Sequence, residues 1–504
     1  MHSVKKRTRG PRRFRAANEF SIFVIFIALI VLMPYVHHDA TSTSNFTKTP
    51  IKHLVVLMME NHSFDNLFGV YPLTEAGKAA NGVSIPYNLL NHPSSPGLAM
   101  VPNGTFSTPD PYEGYMQYHE DWNNGRMNGF ENGSGQSSLY YFGVNQTALE
   151  WDIAMNYALA DNYFSSTLSE TLPNRLYSIA GFSPVSQDQL YPPPFVTYGE
   201  TILGEMSYYN VSWSYYFLNP VLGIDPLDFV YGINSHLQHI GTWGNFISEV
   251  SNGTLPDVSW VSPISGGAFF YSQHPPDNIL SGEIWMYYII NAIMNSPLWN
   301  TTAIMITYDE GGGYYEQVAP PQIAGQQLGF RVPFIIVSPY AKEDYVSNTL
   351  LTHTSILAFI DYNWNMPPLN RLVAESNIPL DMFDFTIKYK NGQIVRPPYD
   401  FGGLLEKFIP DKLSESVSKA SAFSSIGSIF PAPFQFNPST LPYGASGNSS
   451  FNLSGSQINF VNQEQVYVPW FLNRWFYYPL SVVAVSGSAY AAYRIYRRHK
   501  RPKP

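Results

Sequence analysis

Two stretches of this chain have the hydrophobic pattern of buried strands, and both end in acids. Residues 51–59 run Ile-Lys-His-Leu-Val-Val-Leu-Met-Met, an apolar run of strand length, and Glu60-Asn61 follow at once. Residues 303–308 form a second run, Ala-Ile-Met-Ile-Thr-Tyr, which passes into Asp309-Glu310-Gly311-Gly312-Gly313. Further on, Thr352-His353-Thr354-Ser355 opens a helical pattern that continues through Ile356, Leu357, Ala358, Phe359 and Ile360. Up to about Pro397 strand and helix patterns alternate, which predicts an α/β fold: a doubly wound, mostly parallel sheet with helices on both faces. Two longer apolar stretches flank this region: residues 20–36 predict an N-terminal transmembrane helix or signal anchor, with a cleaved secretory signal as the alternative, and residues 475–493 a C-terminal transmembrane helix.

The acids stand where a parallel sheet places its ligands, at the carboxyl ends of strands. Glu60, Asn61, Asp309 and Glu310 offer hard oxygen donors suited to a divalent metal ion whose identity the donors leave open. Adjacent acids on an extended segment point opposite ways, so Asp309 and Glu310 both reach one ion only if the strand has already turned. Between the two runs lies Glu170-Thr171-Leu172-Pro173-Asn174-Arg175. It supplies a hydroxyl and a guanidinium shaped to hold phosphate oxygens. Acids for metal, a hydroxyl nucleophile and an arginine describe metal-assisted phosphoryl transfer.

The run LVVLMMENHSFDNLFGVYP from Leu54 resembles the signature of the bacterial phosphoesterase family of non-zinc phospholipases C and acid phosphatases, within the alkaline-phosphatase-like superfamily. Later blocks are similar too, and in the expected order: TLPNRLYSIAG from Thr171, ITYDEGGGYYEQVAPP from Ile306, GFRVPFIIVSPYAK from Gly329 and LTHTSILAFID from Leu351. The match includes His119-Glu120-Asp121-Trp122 and His274-Pro275-Pro276, and runs from about Ile51 to Asp361. The resemblance implies an alkaline-phosphatase-like sheet with Glu60, Asn61, Thr171, Asp309 and Glu310 around the metal. It makes Thr171 the nucleophile that forms and then loses a phosphoryl group. Asn174 and Arg175 would bind substrate, with bracing of the loop as the alternative for Arg175. His119, His274 and His353 would contact substrate oxygens or protonate the leaving group, as imidazoles do near neutral pH.

The chain also departs from that pattern. Glu316-Gln317 stand where relatives usually carry Asp-His, and Glu113 stands near Asp110-Pro111 where a histidine is common. Glutamine donates a hydrogen bond but cannot act as an acid. The altered Glu316-Gln317 positions motivate an alternative from another class, a non-catalytic surface or adhesion protein on a degenerate phosphoesterase fold. A sulfatase fits less well, because its modified cysteine or serine would stand where this chain has Thr171.

Composition bounds the setting. The 504 residues are 45% hydrophobic and only 13% charged, with a net charge of −9, which argues against a nucleic-acid partner. There are no cysteines, so neither disulfides nor zinc–thiolate sites arise. Basic clusters lie outside both apolar stretches: Lys5 to Arg15 before the first, and Arg494 to Lys503 after the second. Under the positive-inside rule both termini are cytoplasmic and the domain between them faces outward from the cell membrane. Sequons at Asn45, Asn103, Asn132, Asn145, Asn210, Asn252, Asn300, Asn448 and Asn452 fit N-glycans on an outer domain; one at Asn61 would block the site. The organisation expected is a basic N-terminus (1–19), a membrane helix (20–36), a catalytic domain (50–410), a Ser/Pro/Phe-rich strap (411–474), a second membrane helix (475–493) and a basic tail (494–504). Residues 107–143 are expected as an irregular insertion over the site. Residues 208–241 are expected as another, in which Trp213, Tyr215, Tyr216 and Phe217 either wall the substrate or pack in the core. The substrate is a phosphomonoester or a phospholipid, which the sequence does not separate.

Overall fold

The computed structural model describes residues 47–69, 100–143, 146–188, 196–220, 225–264 and 270–387. The two apolar stretches expected to cross a membrane, and the strap between 411 and 474, lie outside these residues. Among the described residues no helix is long and apolar enough to cross a membrane.

Eight strands build one sheet: β1 (His53–Met59), β2 (Ala158–Ala160), β3 (Trp213–Phe217), β4 (Ile240–Thr242), β5 (Val258–Val261), β6 (Thr302–Tyr308), β7 (Phe334–Val337) and β8 (Tyr345–Ser347). Their order across the sheet is β8-β2-β7-β6-β1-β5-β3-β4. Only β7 runs antiparallel to its neighbours, β6 and β2; every other pair is parallel. The fold is therefore mixed α/β with a large, mostly parallel sheet. β1 lies in the middle, and from Leu54 to Met59 every residue is buried, as a strand covered on both faces requires.

Nine α-helices accompany the sheet: α1 (Phe64–Phe68), α2 (Tyr115–Trp122), α3 (Ala148–Asn156), α4 (Thr171–Ala180), α5 (Ile202–Tyr208), α6 (Trp243–Asn252), α7 (Ile279–Met294), α8 (His353–Asn363) and α9 (Arg371–Glu375), counted among the described residues. Helices α4, α8 and α9 pack together, and α3, α6 and α7 form a separate group. Strand β3 shows how the layers divide. Trp213 donates from Nε1 to Ser207 Oγ on α5 (3.0 Å), while Tyr216, of opposite parity, meets Phe246 on α6 at 5.2 Å between ring centroids. Helices thus cover both faces. The same strand corrects the expected insertion at 208–241. Trp213 through Phe217 are all buried in the sheet, so these aromatics are core and not a substrate wall. A strand covered on both faces loses polar–apolar alternation, which is why its run of aromatics resembles a loop patch in the sequence.

Several acids are buried away from the sheet's carboxyl edge. Burial pushes Asp361 on α8 up to about 8, with Glu205 adding to it, and pushes Asp121 on α2 up to about 8 against two hydrogen bonds from Ser134. A carboxyl raised on folding gives stability that is fully present below its unfolded pKa of about 4 and is lost as pH rises towards its folded pKa. The buried imidazoles of His62 and His353, both lowered to about 4 by burial, act in the opposite sense, but only below about pH 6.5. The melting temperature is therefore expected to fall between pH 6.5 and 8.5, and Asp361→Asn to lessen that fall. Scanning calorimetry at the two pH values measures both, and an unchanged slope in the variant would refute the assignment.

Candidate active site

The register of β1 and β6 builds the site. Met59 is paired with Tyr308, so the next residues, Glu60 and Asp309, emerge side by side at the carboxyl edge, with Asp309 N donating to Met59 O at 3.1 Å. β6 ends at Tyr308 and the chain turns at once, which lets Asp309 and Glu310 serve the same cluster. Asn61 takes a left-handed backbone (φ 63°), and its N–H donates to Asp309 Oδ1 at 3.2 Å. Asparagine tolerates that conformation better than most residues. Gly312 (φ 63°) fits against it: a Cβ there would lie 2.0 Å from Asn61 O, so only glycine allows the approach.

The rest of the Glu60–Asp65 run is scaffold. His62 is buried with Nδ1 2.7 Å from Asn66 Oδ1 and Nε2 2.9 Å from Gln273 O. Ser63 caps α1 by accepting from Asn66 N and donates to Tyr315 O. Asp65 accepts from Arg331 Nη2 at 2.9 Å and from Gln317 N at 2.8 Å, while Arg331 Nε donates to Glu316 Oε1 at 3.1 Å. The guanidinium also lies over the Phe64 ring. Glu316 and Gln317, the departures from the family pattern, therefore brace α1 against Arg331. Their tie is buried and structural.

Helix α4 brings Thr171 and Arg175 to the same edge. Thr171 is its half-buried first residue, and Arg175 lies one turn on, on the same face. Arg175 is buried and clasps both strand ends, Nη2 to Glu60 Oε1 at 2.9 Å and Nε to Asp309 Oδ2 at 3.0 Å. Burial works against its charge, but Asp309 and Glu60 more than offset this, and its pKa rises above the ordinary value. Of the two roles weighed for Arg175, these contacts are those of a brace on the acids. Asn174 is spent on the loop before α4: Nδ2 donates to Ser169 O (2.8 Å), Glu170 O (3.0 Å) and Thr167 O (3.2 Å), and Oδ1 accepts from Thr167 N. It shapes the approach to Thr171, and none of its polar atoms is left over for a substrate.

The histidines separate. His353, the first residue of α8, is fully buried; Nε2 donates to Asp309 O (2.7 Å) and Nδ1 accepts from Tyr163 OH (2.9 Å). Burial lowers it to about 4, so it is neutral and holds Asp309 in place. Its helix start is closed by a capping box between Thr352 and Ser355. His274 reaches the cluster directly, with Nε2 3.2 Å from Asn61 Nδ2. His119 is bound within its own helix, Nδ1 donating to Tyr115 O at 2.7 Å beside Trp122. The neighbouring Tyr118 is the residue α2 contributes, donating to Glu310 Oε2 at 2.5 Å. Tyr118 was not among the residues picked out in the sequence, although it adjoins the His119 block. The expected insertion at 107–143 thus carries α2 and, before it, Glu113, whose Oε2 accepts from Asn61 Nδ2 at 2.6 Å.

Among the described residues, three buried oxygens of this cluster receive no hydrogen bond from a donor: Glu60 Oε2, Asn61 Oδ1 and Glu310 Oε1. Burial pushes the carboxyls of Glu60 and Glu310 well above their usual range, and Asp309 adds to both. Glu113 is pushed up as well, by burial and then by Glu310, although 20% of its side chain remains exposed and solvent moderates the effect. Asp188, exposed at the start of α4, accepts from Leu172 N at 2.8 Å. Buried carboxylates on this scale are stable when a cation compensates them. Unpartnered oxygens from two carboxylates and an amide fit a hard divalent ion, with Glu60, Asn61, Asp309 and Glu310 to hold it.

Phospholipase C A of Mycobacterium tuberculosis is 27% identical over 402 residues, covering 66% of this chain and 76% of its own. The non-hemolytic phospholipase C of Burkholderia pseudomallei is 28% identical over 427 residues, covering 67% and 59%. Non-specific phospholipase C6 of Arabidopsis thaliana is 25% identical, covering 70% and 75%. A solved alkaline phosphatase superfamily protein from Vibrio parahaemolyticus is 10% identical with a TM-score of 0.34, covering 69% and 79%, too slight a likeness to carry weight. The family model described as the Phosphoesterase family matches residues 51–367, which include β1, α4, β6 and every acid discussed above. By that match over well more than half its length, the chain belongs to the Phosphoesterase family and is a hydrolase of phosphoric ester bonds.

Proposed function

We propose that this chain is a metal-dependent phosphoesterase of the phospholipase C type, working through a phosphothreonine on Thr171. The observation that carries this reading is the set of unpartnered Glu60, Asn61 and Glu310 oxygens at the strand ends that Arg175 clasps, one turn along the helix that begins with Thr171. A bound divalent cation would supply charge stabilisation for the phosphate oxygens and lower the pKa of a nearby hydroxyl. Thr171 Oγ1 gives up its proton and forms a bond to phosphorus as the ester bond to the leaving alcohol breaks; that alcohol leaves protonated. Water then attacks the phosphothreonine, returning the threonine hydroxyl and releasing the phosphate product. Arg175 holds Glu60 and Asp309 by one oxygen each throughout, and His353 fixes the Asp309 backbone.

The names of the relatives favour phospholipid head groups over simple monoesters. A domain facing outward between two membrane helices, with glycans on its sequons, would meet that substrate directly. The non-catalytic alternative loses its motive, since Glu316 and Gln317 sit in the Arg331 brace and not in the chemistry. The test is hydrolysis of p-nitrophenyl phosphorylcholine and p-nitrophenyl phosphate by the full chain, before and after chelation. Turnover is expected to vanish with chelator, return with a divalent ion, and stay absent in Asp309→Asn. Undiminished turnover in the stripped protein would refute the metal-dependent reading, and a preference for the monoester would overturn the phospholipase assignment.

A further inference from the structure

Outside the acids at the strand ends, a chain of hydrogen-bonding side chains runs through the core. Tyr308, the last residue of β6, is buried, and its hydroxyl bonds both Glu150 Oε1 on α3 and Gln273 Oε1. Gln273 Nε2 donates to Ile279 O at 3.2 Å, so the oxygen facing Tyr308 is a carbonyl that can only accept. Tyr308 has one proton to give and it serves Gln273; the bond to Glu150 then needs a proton on that carboxyl. Glu150 Oε2 and, on α7, Glu283 Oε1 are both buried without a donor, and the two carboxyls stand within hydrogen-bonding reach of each other. A proton on Glu283 completes that bond, while Glu283 Oε2 accepts from Leu149 N at 2.7 Å. Two protons therefore satisfy Glu283, Glu150, Tyr308 and Gln273 in turn. A single proton leaves two buried acceptors facing each other, which is costly. Burial raises both carboxyls, Glu283 well above its usual range with Glu150 adding to it. The titratable groups facing the pair are the two acids themselves, Tyr308 from β6, and His62, whose ring lies 5.6 Å from that of Tyr308. No lysine or arginine pairs with either acid among the described residues.

The far end of the chain reaches the active site. Gln273 precedes His274, whose Nε2 lies 3.2 Å from Asn61 Nδ2. Its left-handed backbone (φ 71°) and its carbonyl, 2.9 Å from His62 Nε2, set the course of that turn. A Cβ on Gly282 would lie 2.2 Å from Gln273 Cγ, so α7 also confines the side chain. We propose that Glu150 and Glu283 are positioning residues, both protonated, whose chain through Tyr308 and Gln273 holds His274 against Asn61. A fully satisfied buried network of this kind is rigid. Loss of a proton as pH rises sets a carboxylate against an acceptor and releases the Gln273–His274 turn. The effect on turnover rests on the phosphoesterase reading above; the protonation and the placing of His274 do not.

The experiment combines infrared difference spectra of the full chain, which report protonated carboxyls by their C=O stretch, with ¹⁵N-histidine resonances and p-nitrophenyl ester turnover across pH. Glu150→Gln and Glu283→Gln are each expected to remove one protonated-carboxyl band. Both should keep turnover near neutral pH, because glutamine donates and accepts where the neutral acid did. In the wild type those bands and kcat should fall together as pH rises, and the double glutamine variant should hold its rate to higher pH. Glu150→Ala, which breaks the chain, should lower kcat/KM by up to about a hundredfold, the scale on which displaced catalytic groups slow reactions. It should also shift the His274 ring ¹⁵N resonances, assigned with His274→Ala, while Glu150→Gln leaves them in place. Thermal unfolding checks each variant, and Tyr308→Phe, which drops the shared hydroxyl, replaces Glu150→Ala if that protein does not fold. Carboxyl bands unchanged in either glutamine variant overturn the protonated pair. Unmoved His274 resonances in the folded chain-breaking variant, or coincident pH profiles for wild type and double variant, overturn the positioning role. With no turnover in the wild type the phosphoesterase reading falls, and the infrared and ¹⁵N results still decide this one.

Discussion

Thr171→Ala is expected to lower kcat by roughly a thousand- to a million-fold, the range seen when a catalytic nucleophile is removed. The reasoning is positional. Thr171 opens α4 one turn before Arg175, and Arg175 is locked to Glu60 and Asp309, so the hydroxyl lies on the helix face turned to the acids. Alanine keeps that helix start, because the N-cap residue is Glu170 and no side-chain cap bond is lost. The variant should still bind its metal, since Glu60, Asn61, Asp309 and Glu310 remain in place, and its folding should be intact. Acid quenching during turnover of a p-nitrophenyl ester should trap a phosphorylated wild-type chain and none in the variant. Thr171→Ser, which restores a hydroxyl, should recover much of the rate. If Thr171→Ala kept its rate within tenfold, water and not threonine would be the attacking group.

The sequence made the strand ends legible and left the interactions between segments hidden. Glu60-Asn61 and Asp309-Glu310 stood out because each follows an apolar run of strand length, and parallel pairing of β1 with β6 then sets them side by side. Whether both acids of the second pair could act together depended on where β6 stops, which the glycines after it hinted at but did not decide. The role of Arg175 was open in the sequence because a guanidinium suits phosphate and carboxylate alike; only the two contacts at 2.9 and 3.0 Å show what it holds. His353 was expected to contact substrate oxygens or protonate the leaving group, yet burial and its two hydrogen bonds make it a neutral support. Tyr118 escaped notice because its partner, Glu310, lies 192 residues away in the chain. The aromatics of β3 misled for the opposite reason: a strand buried on both faces carries no alternation to reveal it.

Arg331→Met is expected to cost roughly 3–5 kcal/mol of folding stability, the usual penalty for stranding buried charges by removing one partner of an ion pair. Arg331 is 2% exposed and is shared between Asp65 and Glu316, with a further bond from Nη1 to Asp161 O. Burial acts against its charge, but Glu316 and Asp65 raise its pKa all the same. Methionine would leave two carboxyls without a cation beneath α1, and the loss should appear as a drop in melting temperature on the order of 10 °C. Glu316→Gln separates scaffold from chemistry. It keeps an acceptor for Arg331 and leaves Asp65 paired, so its melting temperature should fall less. Because Glu316 touches Asp65, Arg331 and Val318 and none of the acids at the strand ends, its kcat below the unfolding transition should stay within a few-fold of wild type. A collapse of kcat in a well-folded Glu316→Gln protein would return Glu316 to the reaction and reopen the non-catalytic reading of the fold. A small thermal shift with full turnover would place Glu316 in the architecture that sets Glu60 and Asn61 at the end of β1.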